Sequence, residues 1–224
     1  MQQVVAQYVA TGVSEDAVHA ELVKAQEAAG LAAIWSLVLI GPNAAYPHGT
    51  VNRIPLADGL LVLIDTGGEL DGYQSDISRT FSWPYGVYSP DQLYWWDTVH
   101  LAQEAALAAI QPGVPAGDVD AAARAIVEQR GFGSDYGNFT HRLGHGIGMQ
   151  GHEEVYMVRG NSYPMTAGLC FSVEPGVYLP GIGGVRIEDI VCATDDGYEL
   201  FGPMSLTLDD PLDIIQDGIA RNHW

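Results

Sequence analysis

The sequence predicts an α+β fold in which one unit, two helices followed by a β-hairpin, is written twice. Two helix pairs with capping signals are each followed by a pair of apolar strands. Acids on those strands recur at matching places, Glu174 lying 109 positions after Asp65 and Glu188 lying 112 positions after Asp76. A composition of 47% hydrophobic and 17% charged residues over 224 positions can fill the core such a fold needs. No sequence identity links the two halves, so the repeat is one of structure.

Met1–Ala10 stands where the first helix of the first unit belongs. Ser14 then offers its oxygen to the free N–H groups of a second helix, and Glu15 and Asp16 place negative charge at that helix's positive end. Val18, Leu22 and Val23 form its apolar stripe, and Gly30 closes it. Leu31–Ile40 reads as a buried strand, and Leu60–Asp65 and Ser75–Phe81 as two more around a Gly-rich connection, Thr66–Gln74. The second unit opens at Ser89-Pro90-Asp91-Gln92, a capping box with proline at the first helical position, and this helix runs to Pro112-Gly113. Asp118 caps the next helix, which carries Val119, Ala122, Ala123, Ile126 and Val127 on one face and ends at Gly131. Leu169–Glu174 and Val185–Cys192 make the second strand pair. The first helix of the second unit runs for roughly 22 residues, far longer than its counterpart over Met1–Ala10. The chain is therefore expected to begin inside or just before that helix, as one domain spanning residues 1–224.

Charge narrows the function. There are 28 acidic and 9 basic residues, Lys24 is the only lysine, and the net charge is −19. Phosphate backbones and anionic membranes both demand Lys/Arg patches, so neither nucleic acid nor a membrane surface is an expected partner. The longest apolar run, Leu31–Ile40, is about half of a bilayer span, and Met1–Ala10 lacks the basic head and apolar stretch of a signal peptide. Two cysteines, Cys170 and Cys192, imply no disulfide framework. They are expected as buried free thiols facing each other in a reducing cytoplasm.

An ionised acid among buried strand residues is costly unless paired or bound to a cation. Asp65 ends the run Leu60-Leu61-Val62-Leu63-Ile64; Asp76 lies in Ser75-Asp76-Ile77-Ser78-Arg79; Glu174 follows Cys170-Phe171-Ser172-Val173; Glu188 follows Val185-Arg186-Ile187. Taken singly, each could end a strand in a turn or pair with an arginine such as Arg186. As a duplicated set of four among nine basic residues, they lack cationic partners, and a pair of divalent cations balances the count. His141, His145 and His152, three of seven histidines within twelve residues, supply an imidazole nearby, and glycines flank His145 so that backbone can approach closely. His48 stands in the loop after the first buried strand. The string Gly146-x-Gly148-x-x-Gly151 is rejected as a dinucleotide fingerprint because no helix pattern follows it.

Asp65 with Asp76 eleven positions on, the His145 segment, Glu174-Pro175-Gly176 and Arg186-Ile187-Glu188-Asp189 resemble the dinuclear metallopeptidases of the pita-bread fold, over about Gly41–Phe201. That family includes methionine aminopeptidase, proline aminopeptidase, prolidase and creatinase. Ser-Asp-Ile-Ser-Arg-Thr-Phe, Glu-Pro-Gly-Val-Tyr and Gly-Val-Arg-Ile-Glu-Asp are most similar to the Xaa-Pro dipeptidases and Xaa-Pro aminopeptidases. The resemblance implies a curved antiparallel sheet covered by helices, and an exopeptidase that cleaves the bond before proline by a hydroxide bridging two metal ions. It implies Asp65, Asp76, His145, Glu174 and Glu188 as metal ligands, with Asp76 and Glu188 bridging. Glu174 would move the proton to the leaving nitrogen, His152 would donate to the developing oxyanion, His48 and His141 would position substrate, and Arg186 would be a supporting or substrate-carboxylate contact. Four carboxylates and one imidazole favour hard ions, Mn²⁺ first, with Co²⁺ or Zn²⁺ able to substitute. The expected partners are small Xaa-Pro peptides and a second copy of the chain. The N-terminal domain usual in the Xaa-Pro relatives is expected to be absent. Initiator-methionine removal and a non-catalytic peptide-binding module are the alternative functions.

Overall fold

The structure, a computed structural model, describes residues 1–209. The first half comprises α1 (Gln2–Tyr8), α2 (Glu15–Ala28), β1 (Ala32–Ile40), a 3-10 turn at Gly41–Ala45, β2 (Leu60–Leu70) and β3 (Tyr73–Trp83). The second comprises α3 (Pro90–Ala109), α4 (Ala116–Gln129), β4 (Gly144–Gly146), β5 (Glu153–Met157), β6 (Cys170–Val173), β7 (Gly176–Leu179), β8 (Gly183–Arg186), β9 (Asp189–Ala193) and β10 (Tyr198–Leu200). Each half packs its helices on its own strands. Val4, Val18, Leu22, Ile64 and Phe81 form one core, while Trp96, Val99, Val119, Phe139 and Phe171 belong to the other. The repeat of helix, helix and hairpin is thus present, with α1 at 7 residues against 20 for α3.

The capping signals act as expected at Ser14, whose oxygen accepts from the Ala17 N–H, and at Ser89, where a capping box with Gln92 forms. Asp118 is a correction. Pro115 takes the N-cap position of α4, and Asp118 lies one turn inside, where its charge still suits the helix end. The Gly-rich stretch Thr66–Gln74 is also not a loop. β2 and β3 pair through it without interruption to a two-residue turn at Asp71-Gly72, and Gly67 fits because a Cβ there would run into the Ser75 carbonyl. β1 is buried only over Val38–Ile40; its start is exposed, as befits the edge of the sheet ordered β1-β2-β3.

The second hairpin is split. β6 pairs with β9 and β7 with β8 in one continuous register, but Pro175, which has no N–H to give, interrupts the ladder beside Glu174. The register that sets Glu174 opposite Glu188 also sets Cys170 opposite Cys192, as the sequence implied. The two cysteines are joined by a disulfide, which corrects the reading of free thiols and removes the redox argument for a reducing cytoplasm. Among the described residues no helix is long and apolar enough to cross a membrane.

The halves meet along a seam. Ser78 of β3 forms one isolated bridge to Glu188, the residue before β9. Beside it Arg79 donates to the Glu188 carbonyl at 2.6 Å, to Asp189 Oδ1 at 2.6 Å and to the Pro203 carbonyl at 2.8 Å, while Gln103 of α3 donates to Asp189 Oδ2 at 2.9 Å. Arg79 and Asp189 are each 3% exposed, so this ion pair is fully desolvated and every oxygen of the acid is partnered.

Candidate metal centre and substrate cleft

Strand register brings the acids together. Across the sheet, Leu37 faces Asp65, Asp65 faces Ser78, Ser78 faces Glu188, and Glu174 occupies the place opposite Glu188. Asp76, two residues from Ser78 on β3, projects from the same side. β4 adds His145 above this row. It can lie that close only because Gly144 and Gly146 have no Cβ: one at Gly144 would strike the Ser172 carbonyl, and one at Gly146 would lie 2.6 Å from the Glu154 carbonyl.

All nine residues singled out from the sequence, His48, Asp65, Asp76, His141, His145, His152, Glu174, Arg186 and Glu188, line one cleft of about 800 Å³. Ligand atoms of Asp76, His145 and Glu188 lie within 4.8 Å of one another. Glu174 Oε1 adjoins them, 3.6 Å from His145 Nε2. Asp65 stands slightly apart because its Oδ2 accepts from Arg186 Nη2 at 2.6 Å. His152 stacks obliquely on His145 with ring centroids 4.0 Å apart, and His48 sits exposed at the rim.

The hydrogen bonds fix the protons. His145 Nδ1 lies 3.0 Å from the Gly146 carbonyl, which can only accept, so Nδ1 carries the proton. Nε2 therefore presents a lone pair, and it faces Asp76 Oδ2 and Glu174 Oε1 at 3.6 Å each. Burial lowers this imidazole to about 4, so it stays neutral. The Nε2 lone pair and the two carboxyl oxygens thus converge on one point, where no arginine or lysine is bonded to Asp76 or Glu174 among the described residues. The buried Oδ1 atoms of Asp65 and Asp76 also have no hydrogen-bond partner. Burial first, then the charges of Asp65 and Glu174, push Asp76 up to about 9. Burial likewise raises Glu174 to about 7, with Arg186 opposing, and raises Glu188 well above the carboxylate range, with Asp76 adding to the effect. The donor set of carboxylates and one neutral imidazole fits divalent cations, which would supply the positive charge that these groups lack.

A second chain of bonds supports the wall. Arg186 donates from Nε to Ser78 Oγ at 2.9 Å, and from Nη1 to the Pro47 carbonyl and the Tyr178 hydroxyl at 3.2 Å each. Tyr178 donates in turn to His141 Nε2 at 2.7 Å, because His141 Nδ1 gives its proton to the Arg142 carbonyl at 2.7 Å. Burial and Arg186 lower His141 to about 3, and burial raises Tyr178 to about 12, so both keep these roles at neutral pH.

Sequence reasoning missed Ser78, Ser172, Tyr178, Trp35 and Arg142. Ser172 accepts from the His145 N–H at 3.0 Å and donates to Glu174 Oε1 at 3.3 Å, while Trp35 and Arg142 line the cleft. Tyr178 stood in the string Glu-Pro-Gly-Val-Tyr; single hydroxyls and a single arginine carry no pattern of their own.

A model described as metallopeptidase family M24 matches residues 1–195. The chain is 41% identical over 194 residues to the Xaa-Pro dipeptidase of Lactobacillus helveticus, covering 85% of this chain and 51% of that protein. Among solved structures, dipeptidase PepE from Mycobacterium ulcerans superposes with a TM-score of 0.84 at 40% identity, over 92% of this chain and 56% of that one. Prolidase from Pyrococcus furiosus gives a TM-score of 0.82 at 32% identity, over 89% and 59%. The chain spans about half the length of the curated relatives it matches.

Proposed function

The chain belongs to metallopeptidase family M24, and from that premise we propose that residues 1–224 are a catalytic domain hydrolysing the peptide bond before proline in small Xaa-Pro peptides. Its fold is the pita-bread fold of that family. The observation that carries the reading is the unprotonated Nε2 of His145 aimed at Asp76 and Glu174, with partnerless carboxylate oxygens behind it. A metallopeptidase uses such a gap for divalent ions. Asp65, Asp76, His145, Glu174 and Glu188 would hold two of them, with Mn²⁺ preferred and Co²⁺ or Zn²⁺ accepted. When bound, such a pair lowers the pKa of water toward neutrality and polarises the scissile carbonyl.

The chain's own residues do the rest. Glu174, on the cleft wall beside His145, is placed to take a proton from water and return it to the leaving nitrogen. Its Oε1 is engaged by Ser172, which leaves Oε2 as the oxygen that exchanges the proton. His152, kept neutral by burial, donates an N–H to the oxygen on which charge develops. His141, locked by Tyr178 and the Arg142 carbonyl, and His48 at the rim orient the substrate.

The test is a comparison of Ala-Pro, Ala-Pro-Ala and Met-Ala by the Mn²⁺-loaded protein, with metal analysis of Asp76→Asn. Cleavage of the Xaa-Pro substrates, lost together with metal in Asp76→Asn, is the expected result. Faster cleavage of Met-Ala, or two metals retained in Asp76→Asn, would overturn the substrate class or the ligand assignment respectively.

A further inference from the structure

The cleft contains two guanidinium groups, and they are in opposite states. Arg186 is 2% exposed and directs its N–H groups to Ser78, Pro47, Tyr178 and Asp65, so it has no free pair for a planar anion. Arg142 also lines the cleft, half-buried, and the contact that holds it is the face of Tyr156, 4.5 Å from its guanidinium carbon. Among the other described basic residues, Lys24, Arg53, Arg79, Arg124, Arg159 and Arg186 each meet a carboxylate. The remaining one, Arg130, donates to Thr98 Oγ1 and lies outside the cleft. In a chain of 28 acids and 9 bases, a guanidinium in the reaction cleft that forms no ion pair among the described residues, its charge felt by Glu174 only at a distance, is a conspicuous gap in the charge pairing.

We propose that Arg142 binds the free α-carboxylate of the substrate and thereby selects dipeptides over longer peptides. The proposal rests on the exopeptidase reading above and names its substrate class. The guanidinium carbon lies over the Tyr156 ring, and among the described residues no hydrogen bond engages the N–H groups of Arg142; a guanidinium supported this way can recognise a carboxylate through two parallel hydrogen bonds. Arg142 directly follows His141 and lies three residues before His145, so the backbone that places these two histidines also sets the distance from the reacting carbonyl to the carboxylate site. A dipeptide ends in a carboxylate on the residue after the scissile bond. A tripeptide carries a neutral amide there, which gives the guanidinium nothing charged to bind and requires room for another residue.

The experiment compares Ala-Pro with Ala-Pro amide on the Mn²⁺-loaded full chain, as wild type, Arg142→Met and Arg142→Lys. Wild type is expected to favour Ala-Pro in kcat/KM by about 10- to 100-fold, the range of a charge-assisted hydrogen-bonded pair, with the difference in KM. Arg142→Met should lose that preference by weakening on Ala-Pro alone, at unchanged metal content, and Arg142→Lys should restore part of it. Equal losses on both substrates, or a preference that survives in Arg142→Met, would overturn the proposal. Calorimetric titration with L-proline and prolinamide separates this from the function itself. If wild type cleaves neither substrate, the exopeptidase reading fails. The carboxylate site is then judged by whether proline binds more tightly than prolinamide in wild type and not in Arg142→Met.

Discussion

Metal uptake by this site should be strongly proton-linked, because the metal-free carboxyls hold protons that a cation must displace. Asp76 titrates at about 9, so at pH 7 it is ionised in about one molecule in a hundred. Cation affinity at pH 7 is therefore about 100-fold below its limit at high pH, and Glu174 at about 7 contributes a further factor of about two. Moving from pH 7 to pH 6 costs about tenfold at Asp76 and about fivefold at Glu174. From these two groups that is a roughly 50-fold loss of affinity, or about 2.3 kcal/mol, to which Glu188 adds. His145, titrating at about 4, adds nothing in this window. Calorimetric titration of metal-free protein with Mn²⁺ in buffers of different ionisation heat measures the protons released. About 1.5 are expected from Asp76 and Glu174 at pH 7, and more from Glu188, whose carboxyl is also raised. An affinity flat between pH 6 and pH 8, with no dependence on buffer, would show that the metal-free carboxyls are already ionised and would refute the reasoning.

Three further outcomes are expected. Between pH 7 and pH 9 folded Asp76 keeps a proton that the unfolded chain has lost, which outweighs the small residual protonation of unfolded imidazoles near pH 7. Stability of metal-free protein should therefore fall as pH rises through that window, and thermal melts that rise instead would contradict it. Asp189→Ala leaves the Arg79 charge buried beside Glu188 and should cost about 3–5 kcal/mol, seen as a drop of about 6–20 °C in Tm; an unchanged Tm would exclude the clasp as a stabilising element. His152→Ala should lower kcat by about 10²- to 10³-fold, the range for loss of one oxyanion donor, with both metals kept; loss of metal on elemental analysis would reassign the residue to the ligand set.

Much of this architecture was legible because strand and cap signals are local. The duplicated spacing of Asp65, Asp76, Glu174 and Glu188 already implied that acids would converge, since strand register carries sequence position into space. What escaped detection depends on partners distant in sequence. Ser78 matters because it falls between Asp65 and Glu188 in the sheet, and Tyr178 because it bridges Arg186 and His141. The stretch Thr66–Gln74 reads as a loop because two adjacent glycines weaken a strand pattern, although Gly67 is required there by the approach of Ser75. The cysteines were set opposite each other correctly, but covalent pairing is a matter of distance, and their Cα atoms lie 4.1 Å apart.

The seam between the halves gives the cations a mechanical task. Asp65 and Asp76 belong to one half, and His145, Glu174 and Glu188 to the other, and the protein joins them through the Ser78 bridge, the Arg79 clasp and the bonds of Arg186 to Ser78, Pro47 and Asp65. Ions held by both sets of ligands would act as rivets. Each tenfold gain in their affinity, about 1.4 kcal/mol, is free energy that also resists separation of the two halves. Loading the site and holding the two halves together would then be one equilibrium, so a chelator would loosen one of the joints between them.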